Sequence, residues 1–175
     1  MSKKIILIAG PTGSGKSKLA IQIAKKIKGE IINADSMQVY KEFSILTSRP
    51  SKQDLKKVKH YLYGFQPVKK HFSTGEWLKL VKTQINLCLK NKKIPILVGG
   101  TGLYFEAIIK GISKIPAIDF KTRNKIRDLQ KKIGQKKFYE KLLKLDPLIK
   151  NKIELFDTQR SIRAYEVKKF TKKSI

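Results

Sequence analysis

Apolar and polar residues form a repeated pattern over roughly the first two thirds of the chain. Short apolar runs at 5–9, 30–34 and 94–98 each lead into a turn rich in glycine or small polar residues. Segments follow in which apolar residues recur every three or four positions, as in amphipathic helices. Short apolar runs bounded by turns are typical of buried strands. The alternation of strand and helix predicts an α/β fold in which helices flank both faces of a parallel sheet.

The stretch between the second and third apolar runs is less regular. From 41 to 72 the periodicity is poor, and we expect connecting loops with one short helix near 52–58. Ser73 and Glu76 then have the spacing of a capping box in front of the apolar positions of 77–89. The sequence therefore predicts an amphipathic helix whose apolar stripe belongs to the core.

The last third of the chain changes to short, strongly basic helices. Asp119 can cap a helix that carries Arg123 and Arg127 on one face, and Arg160 and Arg163 share a face of a later helix. Spacing alone leaves open whether these faces bind a ligand or are simply solvated. We expect three segments: a P-loop α/β core over 1–111, a helical insertion or lid over 112–156, and the start of a returning helix over 157–175.

The composition is strongly basic, with 40 Lys and Arg against 13 Asp and Glu and a formal charge of +27. Such a charge ordinarily indicates a polyanionic partner. The excess is spread along the chain and 35 of the 40 basic residues are lysine, so a lysine-rich solvated surface explains it equally well. The five arginines are more informative, because a planar guanidinium group can bind phosphate in a bidentate manner.

Other residues bear on location and metal binding. The apolar run before Gly10 has only five residues, too few for a signal peptide or a membrane span, so we expect no membrane association. The single cysteine, Cys88, lies in a helical apolar pattern and indicates a reducing cytoplasm rather than a disulfide. His60 and His71 have no metal-ligating neighbours in the sequence, and we expect them at the surface or in packing. At 175 residues the chain suits a monomer with one core.

The glycine-rich loop after the first apolar run carries the clearest chemical signal. It matches the phosphate-loop spacing GxxxxGK[ST] and comprises Gly10, Pro11, Thr12, Gly13, Ser14, Gly15, Lys16 and Ser17. Glycines let backbone N–H groups approach phosphate oxygens, Lys16 supplies a positive charge, and Ser17 can bring a hydroxyl to Mg²⁺. The helix that follows adds a dipole that favours anions. Kinases, ATPases and some transferases share this loop, so its ligand stays open.

Two polar positions follow the second and third apolar runs. Asp35 and Ser36 come directly after 30–34, and Thr101 lies in the glycine turn after 94–98. Ligands of open α/β sheets bind at the carboxyl ends of the strands, which is where the phosphate loop also emerges. A turn or a helix cap explains Asp35 equally well, and Thr101 suits an ordinary strand-to-helix turn. A strand of four apolar residues ending in aspartate, the usual second Mg²⁺ anchor of triphosphatases, is missing, and the run at 94–98 ends in glycines instead, which counts against ATP hydrolysis.

The chain resembles the tRNA dimethylallyltransferases, which prenylate an adenine beside the anticodon. The resemblance spans about 4–168 and rests on five stretches in order: GPTGSGKS, INADSMQVY, ILVGGTGLYFEAI, LDPLI and DTQRSIRAYEV. One stretch departs from the family pattern, because 46–50 are Leu-Thr-Ser-Arg-Pro where the family usually has Gly-Thr-Ala-Lys-Pro. The family normally continues well beyond this length, so we expect a C-terminally truncated version.

The resemblance implies roles for particular residues. The phosphate loop would hold the diphosphate of dimethylallyl diphosphate, with Mg²⁺ at Ser17, rather than ATP. Asp35 would be the general base for the adenine N6, with Thr101 beside it, acting on a base flipped out of its stack. The residues implied to contact the tRNA anticodon stem-loop are Asp35, Ser36, Met37, Gln38, Thr101, Arg123, Gln159, Arg160, Ser161, Ile162 and Arg163. Alternatives are a transferase acting on free adenine nucleotide, a small-molecule kinase and an inactive RNA-binding remnant.

Overall fold

The structure is a computed structural model that describes residues 4–113, 115 and 118–175. Residues 1–3 of the predicted core, and residues 114, 116 and 117 of the predicted segment 112–156, lie outside the described residues. The chain divides into two compact units, residues 1–112 and 113–175. The division into three segments stays a prediction.

The first unit contains a sheet of four parallel strands in the order β1-β4-β2-β3. Helices alternate with the strands along the chain, so the predicted α/β fold with a parallel sheet is confirmed. The elements in chain order are β1 (Ile6–Ala9), α1 (Lys16–Ile27), β2 (Gly29–Asn33), α2 (Lys52–Lys57), β3 (His60–Tyr61), α3 (Thr74–Lys90), β4 (Ile94–Gly99) and α4 (Gly102–Lys110).

Helices cover both faces of this sheet because successive strand residues point to opposite sides. Ile31 and Ile96 pack with Ala20 of α1 on one face. Ile32 and Leu97 belong to the cluster formed with α3 and α4 on the other. Each of these side chains is at most 1% exposed, and full burial of such an aliphatic group stabilises the fold by about 1.5–3 kcal/mol.

The structure differs from the sequence prediction at two places. The strand β2 begins at Gly29, one residue before the apolar run 30–34, directly after Lys28, which caps α1 with a left-handed φ of 54°. A Cβ at Gly29 would lie 3.1 Å from the backbone oxygen of Ile94 and 2.7 Å from Ile96 Cδ1, so close packing favours glycine there. Within the stretch 41–72, β3 pairs with β2 where only loops and a short helix were predicted. A strand of two half-buried residues is too short to produce a periodic signal.

Helix α3 begins as predicted, and its buried face is part of the core. Ser73 Oγ accepts a hydrogen bond from Glu76 N, and Ser73 N donates to Glu76 Oε2 at 2.8 Å, which completes the capping box. Ser73 Oγ also donates to Glu76 Oε2 at 2.7 Å, and this bond first, then the one from Ser73 N, holds the pKa of Glu76 below its ordinary value. Cys88 is fully buried, as expected, and its Sγ donates to Glu30 Oε2 at 3.3 Å.

The second unit is helical and has its own core. Its helices are α5 (Phe120–Ile133), α6 (Gln135–Leu145) and α7 (Thr158–Thr171), with a 3₁₀ turn at Pro147–Ile149. Asp119 caps α5 as predicted, accepting from Thr122 N at 2.8 Å. Phe138 and Leu142 of α6 are fully buried in the centre of this unit. Across both units, no helix of the described residues is long and apolar enough to cross a membrane.

Candidate active site

The predicted phosphate loop joins β1 to the N-terminus of α1. Gly13 (φ 83°) and Gly15 (φ 78°) lie in the left-handed region that favours glycine and so let the backbone turn sharply into the helix. Lys16 Nζ donates to Pro11 O at 2.9 Å, which places the ammonium group back over the loop. No side chain caps the start of α1, and Ser17 is exposed in its first turn. The loop therefore presents backbone N–H groups, one ammonium and one hydroxyl to an anion.

The carboxyl ends of β1, β4 and β2 meet beside this loop. Gly10 N donates to Gly99 O at 3.3 Å, which links the start of the loop to the end of β4. A Cβ at Gly99 would overlap the carbonyl group of Ala34, and one at Gly100 would lie 3.2 Å from the backbone oxygen of Gly10. The glycine turn after β4 is thus required by the close approach of the β2 end, a role that the sequence alone left undecided.

Asn33, the last residue of β2, anchors the backbone of Asp35. Asn33 Oδ1 accepts from Asp35 N at 2.9 Å, and its Nδ2 donates to Asp35 O at 2.9 Å and to Leu62 O at 3.0 Å. The backbone oxygen of Asn33 accepts from Trp77 Nε1 at 3.0 Å. Asp35 Oδ1 accepts from Met37 N at 2.9 Å, whereas Oδ2 accepts no hydrogen bond from the described residues. Sequence reasoning missed Asn33, whose only signal is a polar residue inside an apolar run.

Thr101 and Gln38 hold the segment that follows Asp35. Thr101 Oγ1 accepts from Ser36 N at 2.8 Å and donates to Ser36 Oγ at 3.2 Å. Gln38 Nε2 donates to Thr47 O at 2.7 Å. The structure therefore brings Asp35, Ser36 and Thr101 together at the strand ends. Gln38 binds the backbone of the following segment at Thr47.

A pocket of about 310 Å³ opens over Asp35. Its lining residues are Thr12, Asp35, Met37, Phe43, Leu46 and Thr47. Asp35 is the only ionisable residue among them, and the far wall comes from 43–47, which sequence reasoning treated as connecting loop. Burial first, and then the charge of Asp35, raise the pKa of Tyr63 above its ordinary value, so this neighbouring phenol stays neutral. The pocket thus combines one carboxylate with a largely apolar wall.

The predicted RNA-contacting residues of α7 divide by exposure. Gln159 and Arg160 are exposed and Arg163 is partly exposed, whereas the side chains of Ser161 and Ile162 are buried inside the second unit. Arg160 Nε lies 3.4 Å from Asp157 Oδ2 at the start of the helix. Surface contact from this stretch is therefore available to Gln159, Arg160 and Arg163.

Arg123 lies on α5 in the same unit. Its side chain is 33% exposed, and its Nε lies 3.9 Å from Glu166 Oε2. It is the one predicted RNA-contacting residue of α5, and it shares its carboxylate neighbour with Arg163.

The described residues contain no group of three or more His, Cys, Asp or Glu that could hold a metal ion by themselves. A metal at the phosphate loop would need oxygen atoms from the ligand, as Mg²⁺ usually does in phosphate sites. The fold and this site define the class of P-loop proteins, with the phosphate loop next to a carboxylate and a largely apolar pocket. Such a site can stabilise a phosphate leaving group and accept a proton from a nucleophile.

The family model described as IPP transferase matches residues 38–175, and the chain belongs to that family. The tRNA dimethylallyltransferase of Pelagibacter ubique is 65% identical over 168 residues, covering 96% of this chain and 54% of the relative. The tRNA dimethylallyltransferase of Rickettsia bellii is 47% identical over 173 residues, covering 99% of this chain and 55% of the relative. The chain thus spans about half the length of these curated relatives.

Solved structures give the same result. The full-length tRNA isopentenylpyrophosphate transferase of Bacillus halodurans matches with a TM-score of 0.63 at 33% identity, covering 97% of this chain and 56% of that one. A eukaryotic dimethylallyltransferase described as acting on tRNA matches with a TM-score of 0.78 at 33% identity, covering 95% of this chain and 42% of that one. The predicted family and the P-loop NTPase-like fold are both confirmed.

Proposed function

We propose that this chain carries the donor-binding and proton-accepting part of a tRNA dimethylallyltransferase. The reaction transfers a dimethylallyl group from dimethylallyl diphosphate to N6 of the adenosine next to the anticodon (A37) and releases diphosphate. The observation that carries the proposal is the position of Asp35, the only ionisable residue in an otherwise uncharged pocket that also includes Thr12 of the phosphate loop. The relatives described above are tRNA dimethylallyltransferases, which supports this chemistry.

The phosphate loop binds the diphosphate in this proposal. When the allylic carbon–oxygen bond breaks, negative charge accumulates on the leaving diphosphate. Backbone N–H groups at the start of α1 and the Lys16 ammonium stabilise that charge, because they are already fixed around the loop before the bond breaks. The need to stabilise this charge favours a phosphate loop that binds the leaving diphosphate. The proposed reaction does not need ATP.

The pocket over Asp35 then serves the acceptor adenine. N6 attacks the allylic carbon, a carbon–nitrogen bond forms, and the resulting ammonium passes a proton to the open Oδ2 of Asp35. Asn33 fixes the backbone of Asp35, so the carboxylate does not have to reorganise during the reaction. Met37, Phe43 and Leu46 supply apolar wall that can keep water from the reactive allylic carbon.

The residues present are compatible with Mg²⁺ as the cofactor. The Ser17 hydroxyl is exposed in the first turn of α1, beside the loop, and it makes no hydrogen bond to another described residue. Mg²⁺ is usually held by few protein oxygens together with substrate phosphates and water. Bound there, the cation would share the charge of the diphosphate.

Mass spectrometry of the RNA product tests this proposal. The 175-residue chain is incubated with dimethylallyl diphosphate, Mg²⁺ and an anticodon stem-loop RNA, and we expect RNA one isopentenyl unit heavier. Asp35→Asn should abolish this product and change donor binding by less than about twofold, because the phosphates contact the loop rather than the carboxylate. Glu106→Gln, an equal charge change at an exposed position, is the matched control.

The outcomes separate the alternatives. Product formation by the Asp35→Asn protein would exclude Asp35 as the base, and loss of donor binding in that protein would assign Asp35 to the donor site. Phosphoryl transfer from ATP to a small molecule would instead identify a kinase. We also propose a cytoplasmic location, which the single buried cysteine and the tRNA-modifying relatives support. The monomeric state stays a prediction.

A further inference from the structure

One buried carboxylate in the second unit faces two arginines from different helices. Glu166 of α7 has a side chain only 4% exposed. Its Oε2 accepts a hydrogen bond from Arg163 Nη1 at 3.2 Å, and Arg123 Nε of α5 lies 3.9 Å from the same oxygen. Both guanidinium groups therefore lie within 4 Å of a single carboxylate oxygen, although each arginine side chain remains about one third exposed.

The two arginines keep most of their hydrogen-bonding capacity. A guanidinium group has five N–H donors, and an arginine–carboxylate pair frequently uses two of them in a bidentate contact. Here a single N–H of Arg163 donates to Glu166, and Arg123 Nε is a buried donor with no hydrogen-bond partner among the described residues. The remaining N–H groups of the pair also find no acceptor in the described part of the chain. The cluster keeps a net positive charge of one unit.

The charge of Glu166 explains why two cations can stay together. Without it, two guanidinium groups at this separation repel each other, and the long side chain of Arg123 gains freedom by turning into solvent. With it, both planar groups are held in place before any ligand arrives. Two guanidinium groups fixed side by side suit an anion with several oxygens, such as phosphate, far better than one mobile lysine does.

We propose that Glu166 is a positioning residue that orients Arg123 and Arg163 for binding the phosphodiester backbone of the substrate RNA. The inference rests on the proposed function for the identity of the RNA. Glu166 makes no contact with RNA itself. Its role is to keep the two arginines oriented, so its removal weakens binding even though the protein becomes more positive.

The direction in which RNA affinity changes when Glu166 is replaced provides the test. Binding of an anticodon stem-loop RNA to the 175-residue chain is measured at several salt concentrations for the wild type, Glu166→Gln and Glu140→Gln. Glu140 is an exposed acidic residue of α6, so its substitution makes the same change in net charge without touching an arginine. We expect Glu166→Gln to weaken binding about 5- to 10-fold and to lower the salt slope by about one. Glu140→Gln should bind as tightly as the wild type or slightly more tightly.

Helix content and thermal unfolding of each variant establish whether it is folded. If Glu166→Gln does not fold, Arg123→Lys and Arg163→Lys replace it, because both keep a positive charge beside Glu166. Each should then weaken RNA binding about 3- to 5-fold, since lysine lacks the planar fork. The proposal is overturned if Glu166→Gln binds RNA as well as Glu140→Gln, if both lysine variants bind like the wild type, or if the wild-type chain does not bind the RNA. Intact RNA binding without prenyl transfer would count against the proposed function alone.

Discussion

Removing the side chain of Asn33 should destabilise the first unit and disorder the candidate base. Asn33 is fully buried, and its amide takes part in three hydrogen bonds, two with the backbone of Asp35 and one with Leu62 O. Each such bond contributes about 1 kcal/mol, and buried partners left without one cost more. We therefore expect Asn33→Ala to lower the free energy of unfolding by about 2–4 kcal/mol.

The single tryptophan provides the assay. Trp77 lies in the first unit and donates to the backbone oxygen of Asn33, so its fluorescence during urea unfolding reports on this unit alone. With an ordinary urea dependence for a domain of this size, the expected loss moves the midpoint down by about 1–2 M. Asn86→Ala removes the same side chain from an exposed position of α3 and should stay within about 0.5 kcal/mol of the wild type.

A second substitution separates hydrogen bonding from packing. Asn33→Asp preserves the shape but replaces the donating amide with a carboxylate oxygen that faces the carbonyls of Asp35 and Leu62. At neutral pH it should be more destabilising than Asn33→Ala, and the difference should shrink at acid pH, where a protonated carboxyl can donate. If Asn33→Ala unfolds at the same urea concentration as Asn86→Ala, or if the aspartate variant is as stable as the wild type, this amide does not anchor Asp35.

Two further predictions concern the first unit. Gly99→Ala should prevent folding, measured as soluble yield and urea midpoint, because its Cβ would overlap the carbonyl group of Ala34; Gly102→Ala, with no atom within 4 Å of its added Cβ, should fold normally. Burial first, then the hydrogen bond to Glu30, raise the pKa of Cys88 to about 11. The folded protein should react with a thiol reagent at about pH 8 only after urea is added. The contribution of the neutral thiol to the free energy of unfolding should be intact below about pH 8.5 and decline toward pH 11. Rapid labelling of the folded protein would contradict this.

Local sequence signals predicted most helices and strands, whereas the hydrogen bonds that hold the site residues in place join distant parts of the chain. The phosphate loop and the capping box at Ser73 were visible in the sequence because each is complete within a few neighbouring residues. Asn33 instead bonds to Leu62, 29 positions away, and Ser36 to Thr101, 65 positions away. The pocket wall at 43–47 shows no periodic pattern in the sequence. Its position depends on single contacts such as that of Gln38 with Thr47. Pairings of this kind depend on the register of the strands, which local sequence patterns do not specify.

Arg49 shows that residue type alone does not identify an arginine that binds phosphate. The sequence suggested that arginines retained in a lysine-rich chain serve phosphate, but Arg49 Nη1 and Nη2 donate to Tyr40 O at 3.3 Å and to Lys41 O at 3.2 Å. Its guanidinium group also occupies the space beside Gly64, where no Cβ fits. A planar fork of donors suits two backbone carbonyls as well as two phosphate oxygens. Arg123 and Arg163, which we propose to bind RNA, differ from Arg49 because most of their N–H donors have no acceptor among the described residues.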